Sequence, residues 1–184
     1  MPVPYRKVPR LAQEGCAAFV DVVWLPSASA FYGGLLVVDG RGQPLEFVHN
    51  TLRAPSGFLW PAAQIATQGT LHLVHSLFDA CRPDPDLLVC LPSLGTPEFC
   101  RNYLAPALPM AQVSVAAPGP EADEKDEWRW INDAPASGMR AAVVAQELGR
   151  RGFAREPFAR LRLHLRELYP SAPWNEVDTE PLRP

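Results

Sequence analysis

No two cysteines in this 184-residue chain stand in a Cys-x-x-Cys spacing, which argues against a zinc ribbon. Only Cys16, Cys81, Cys90 and Cys100 are present, and Cys81 and Cys90 sit in apolar company, as small buried thiols do. An excess of positive charge is also missing: 17 Lys and Arg stand against 20 Asp and Glu, for a net charge of −3. A free-standing nucleic-acid-binding module would carry a basic balance, so only a local basic face remains. No run approaches the ~18 apolar residues that span a bilayer, and MPVPYRKVPR lacks the apolar core of a signal peptide. The expectation is a soluble cytoplasmic protein with reduced thiols and no membrane partner.

Other motifs fail at single positions. Gly33-Gly34 and Gly40-x-Gly42 precede no helix and no Gly-Lys-Ser/Thr, so they punctuate a hairpin and do not cradle phosphate. Ser93-Leu94-Gly95 lacks the flanking glycine of a nucleophile elbow. His72 and His75 are three apart on a helix, but only Asp79 is near to complete a metal site, so they read as structural histidines. Five acids between Gly119 and Glu127 lack the spacing of a calcium loop and read as a solvated run.

What is present is a clear order of elements. Cys16 to Leu25 is apolar almost throughout, as a central strand would be, with Asp21 the exception. Leu35 to Val38 and Leu45 to His49 flank a turn rich in Asp-Gly and Arg-Gly-Gln-Pro, and predict a hairpin. The three make an antiparallel meander. Residues 62–82 carry apolar side chains at helical spacing until Arg82-Pro83-Asp84-Pro85 stops them, with Gly69 a weak point worth about 1 kcal/mol. Asp86 to Leu91 predicts a buried strand, Pro97 to Leu104 a short helix, and Met110 to Ala116 a fifth strand.

With 47% hydrophobic residues the chain can bury a core, and its 21 prolines imply short elements and stiff connections. The division reads as an α/β core over 1–117, an acidic linker or loop over 118–135, C-terminal helices over 136–169 and an extended tail over 170–184. Ser137 is placed to cap a helix running through Arg151 with a stripe of Met139, Val143, Val144 and Leu148. Glu156 to Tyr169 forms the second, with Phe158, Leu161, Leu165 and Leu168 on one side. These two helices concentrate Arg150, Arg151, Arg155, Arg160, Arg162 and Arg166, a candidate nucleic-acid face or a solvated one paired with Glu147, Glu156 and Glu167. Trp128, Trp130 and Trp174 are candidate partner-binding anchors, since tryptophan is enriched at interface hot spots.

Three strands, a helix, a strand, a helix and a strand is the order of the ribonuclease-H-like fold: α/β, with a mixed five-stranded sheet and here a C-terminal helical pair. The residues resemble endonuclease V over about 17–116. Val20-Asp21-Val22 is similar to that family's first-strand acidic motif. Pro55-Ser56-Gly57-Phe58-Leu59 resembles its proline-glycine turn, and Pro85-Asp86-Leu87-Leu88-Val89 the approach to its fourth strand. The resemblance implies divalent metal held by carboxylates, with Asp21 the first ligand. It also puts Ala63 and Leu91 where two further acids would stand, and neither can hold magnesium.

Three readings follow. The first is a non-catalytic, nuclease-like scaffold subunit that binds no metal or other cofactor and works with another protein in a bacterial nucleic-acid-processing or defence assembly. The second is an active nuclease using Mg²⁺ or Mn²⁺ on Asp21 with Asp39, Glu46 or Asp86. The third is a small-ligand domain with its site near Leu91 to Gly95, at the carboxyl ends of parallel strands.

Overall fold

The computed structural model describes residues 15–54, 61–104, 107–113 and 128–174. The proline-glycine turn at 55–59, the acidic run, the end of the fifth predicted strand and the last ten residues lie outside them.

β1 (Cys16–Leu25) is followed by β2 (Ala30–Asp39) and β3 (Pro44–Arg53), and the three form the expected antiparallel meander. The hairpin turns where the Asp39 carboxylate accepts the amides of Arg41 and Gln43, with Gly42 at φ +77°. α1 (Ala62–Ala80) then crosses to β4 (Leu87–Cys90), which pairs parallel to β1. A short helix α2 (Pro97–Phe99), capped by the Thr96 hydroxyl, runs into a π-helical turn (Cys100–Leu104) and leads to β5 (Met110–Val113), parallel to β4.

Among the described residues the sheet has six strands, one more than the sequence predicts, in the order β3-β2-β1-β4-β5-β6. The extra strand is β6 (Trp128–Trp130), antiparallel to β5, in a stretch that reads as linker. Three residues are too few for a period-2 pattern to emerge, and what makes them a strand is the free edge of β5.

α3 (Arg140–Arg150) and α4 (Glu156–Leu168) are the last two described helices. α3 begins after Met139, not at Ser137, because Gly138 turns the chain at φ +93° between them. Its buried stripe is Ala141, Val144 and Leu148, leaving Met139 and Val143 on the surface. On α4, Phe158, Leu161 and Leu165 are buried as expected, whereas Leu168 in the last turn is exposed.

β1 is central, and its alternation sorts the core into two layers. Ala18 and Val20 face α1 with Leu35, Val37, Val74 and Leu77. Ala17 and Phe19 face α3 and α4, with Leu36, Val89, Val144, Phe158 and Leu161. Asp21, two residues beyond Phe19, belongs to the second layer. No described helix is long and apolar enough to cross a membrane.

Candidate functional site

Asp21 lies in the second half of β1, opposite Gly34 of β2, and only 1% of its surface reaches solvent. A carboxylate this deep needs a counter-charge or donors. It has one: the Arg162 Nε donates to Oδ2 at 2.6 Å from α4, while Oδ1 is buried without a hydrogen-bond partner. The Arg162 side chain is itself 21% exposed, so the pair sits at the inner rim of the sheet–helix interface.

The neighbours of Asp21 are apolar. Val20 pairs with Cys90, and Leu91 follows Cys90 as Asp21 follows Val20. Leu91, 3% exposed, therefore stands beside Asp21 in the same layer, where the resemblance implies a second acid. On the other flank, the space above Gly34 is filled by Leu161, whose Cδ2 would meet a β-carbon there at 3.0 Å. Ala63 is exposed in the first turn of α1, on the opposite face of the sheet.

None of the alternative carboxylates converges on this point. Asp39 pairs with Cys16, five residues up the strand from Asp21, a separation of about 17 Å at the rise of an extended chain. Asp86 accepts the Cys16 amide at 3.0 Å and faces Arg140 at 3.8 Å. Glu46 accepts the Arg82 amide at 2.9 Å beyond the end of α1. Among the described residues no group of three or more His, Cys, Asp or Glu side chains is arranged to hold a metal. A divalent ion needs several oxygen donors, and here one carboxylate is already neutralised beside leucines. The residues present do not fit the metal that the resemblance implies.

The six arginines are largely occupied. Arg150 and Arg151 share Glu147 at 2.8 and 3.4 Å, and Arg160 grips Glu156 at 2.7 Å. The hydrogen bond from Arg150, reinforced by Arg151, holds the Glu147 carboxyl below its ordinary pKa. Arg155 and Arg166 have interaction partners as well. The tryptophans are half-buried: Trp128 and Trp130 pack against the layer under α3 and α4. Trp174 lies 5.2 Å from the Tyr32 ring and donates its Nε1–H to the Tyr169 carbonyl.

Sequence reasoning overlooked the cluster that Trp174 joins. The Tyr169 hydroxyl meets His49 Nδ1 at 2.8 Å, and its ring lies edge-on to Tyr32 at 5.1 Å. Burial, then the nearby Tyr32, raises the Tyr169 phenol above its ordinary pKa. The signal available was alternation: His49 and Tyr32 occupy the same face of adjacent strands, two positions apart in register. His75 donates to the Tyr103 carbonyl at 2.9 Å, a structural role as expected. Near the strand ends, Leu91 and Leu94 turn into the core and Gln112 bonds the Gly95 carbonyl at 3.3 Å.

The fold that carries this site is a nuclease-like α/β fold, and within that class it is the endonuclease V-like arrangement. The chain is similar to endonuclease V from Streptomyces avermitilis at 16% identity and a TM-score of 0.52, over 84% of this chain and 83% of that one. Endonuclease V from Bacillus subtilis is similar at 12% identity and a TM-score of 0.39, where the match spans 56% of this chain and less than half, 45%, of that protein. Marinitoga piezophila Argonaute in complex with guide RNA is similar at 12% identity and a TM-score of 0.32, over 53% of this chain and 16% of that one. No family model and no curated protein matches the sequence. The fold assignment rests on the Streptomyces protein.

Proposed function

We propose that this chain is a non-catalytic subunit on an endonuclease V-like scaffold, acting with another protein in a bacterial nucleic-acid-processing or defence assembly. The observation that carries the reading is the state of Asp21: its carboxylate is occupied by Arg162 at 2.6 Å and flanked by Leu91. A metal-dependent nuclease clamps the attacking and leaving oxygens with ions held by several carboxylates. That chemistry has no donor set here among the described residues.

Two surfaces support a partner. Met139, the N-cap of α3, and Val143 in its first turns are 53% and 43% exposed, one turn apart. Trp174 keeps part of its indole accessible at the end of the described chain. Nucleic acid would meet α3 and α4 through arginines that already share carboxylates, which lowers the charge left for phosphate.

The test is incubation of the pure protein with DNA and with RNA in Mg²⁺ or Mn²⁺. No cleavage is expected. Cleavage that disappears in Asp21→Ala would overturn the reading in favour of an active nuclease.

A further inference from the structure

We infer that Asp21 and Arg162 form a metal-independent clasp, in which the chain's own guanidinium is the permanent cation of the position where the resemblance implies a divalent ion. The inference deepens the non-catalytic reading and rests on it for the meaning of the site. It assigns Arg162 a role of its own: positioning α4 on the sheet.

The chemistry of the pocket selects the occupant. A carboxylate 1% exposed, with Leu91 beside it and Leu161 filling the notch over Gly34, offers one oxygen pair, and among the described residues no group of three or more acids, histidines or cysteines is arranged to hold a metal. A hard divalent ion requires six or more oxygens or retained waters, and the leucines supply neither. A guanidinium is planar, delocalised and more weakly hydrated than an ammonium, so it tolerates burial at lower cost. Arg162 reaches Asp21 through its Nε–H. Such a contact needs only a guanidinium, not the whole side chain.

The position of the pair gives the clasp its purpose. Consecutive residues of α4 do two jobs: Leu161 seats over Gly34 of β2, and Arg162 bonds Asp21 of β1. A glycine notch fixes where the helix sits along one strand, and the ion pair fixes it along the next. Sliding α4 by a residue would turn Arg162 away and leave Asp21 buried and unpaired, a strongly destabilised state. The register of the C-terminal helix is therefore set by a charge that no metal supplies.

The test is thermal melting of the full chain. Arg162→Ala should lower Tm by roughly 10 °C, and millimolar methylguanidinium should restore part of the loss. In Asp21→Asn/Arg162→Ala the same compound should do nothing. Mn²⁺ and Mg²⁺ should leave the wild-type Tm unchanged. A folded Arg162→Ala that ignores methylguanidinium, or a wild-type Tm raised by Mn²⁺ and not raised in Asp21→Asn, would overturn the clasp. Should Arg162→Ala fail to fold, Asp21→Asn/Arg162→Met removes both charges: a recovered fold supports the clasp, and continued failure overturns it. Cleavage of nucleic acid by the wild type would defeat the non-catalytic reading while leaving these melting results, and so the clasp, standing.

Discussion

Gly69 of α1 lies directly over Phe31 of β2: a β-carbon built on the glycine would stand 2.3 Å from the ring. Phe31 is fully buried and stacks on Trp24 with centroids 4.2 Å apart, so the ring has no room to retreat. Alanine at this position gains about 1 kcal/mol of helix propensity. It also overpacks the contact, at a cost of about 1–3 kcal/mol. We expect Gly69→Ala to lower stability in urea melts, and Gly69→Ala/Phe31→Leu to recover part of the loss. An increase in stability from Gly69→Ala alone would show that α1 can lift off β2.

Truncation after Tyr169 should lower the melting temperature of the isolated protein. The deletion removes Trp174 from Tyr32 and strips the Tyr169 carbonyl of its indole donor. Loss of a half-buried tryptophan contact is worth about 1–2 kcal/mol, or roughly 2–8 °C here. An unchanged Tm would show that the contact of Trp174 with Tyr32 does not hold this segment to the domain.

Burial, with the nearby Glu46 carboxylate adding to it, lifts the Cys81 thiol to about 11. A thiol whose folded pKa lies above its unfolded value, about 8.5, contributes stability that is complete below the unfolded value. That contribution fades as pH rises through the folded one. We expect Cys81 to react slowly with iodoacetamide at pH 8 in spite of its partial exposure, and stability to decline between about pH 8.5 and 11. Fast alkylation of Cys81 in the folded protein at pH 8 would contradict this assignment.

Any contact of α3 and α4 with duplex DNA should be independent of sequence and sensitive to salt, with each neutralised phosphate contributing a slope of about −0.9 in log K against log salt. Because Glu147 and Glu156 already hold three of the arginines, the slope should be shallow. Arg150→Gln/Arg151→Gln should flatten it further without moving Tm. No shift of labelled DNA at low salt would remove nucleic-acid contact through this face.

The strand order and the solitary Asp21 were legible because both are written in local pattern: an apolar run broken once, a hairpin turn, a proline stop after α1. Arg162 was legible only as one arginine of six. Its partner lies 141 residues away, and helical spacing alone distinguishes neither it from Arg166 nor an ion pair from a free charge. β6 escaped for a related reason, since Trp128, Arg129 and Trp130 become a strand only because β5 offers them an edge. Gly69 was read as a propensity cost, whereas it is a contact that glycine alone permits.

The 141-residue separation between Asp21 and Arg162 also bears on how the chain is made. Synthesis at ~5–20 residues per second puts on the order of ten seconds between their emergence from the ribosome. During that interval β1, β2 and β3 can pair, but the nascent sheet holds a carboxylate with no counter-charge and an apolar face with no α4. The packing of this face of the meander is therefore completed only when α4 arrives and brings Arg162 to Asp21.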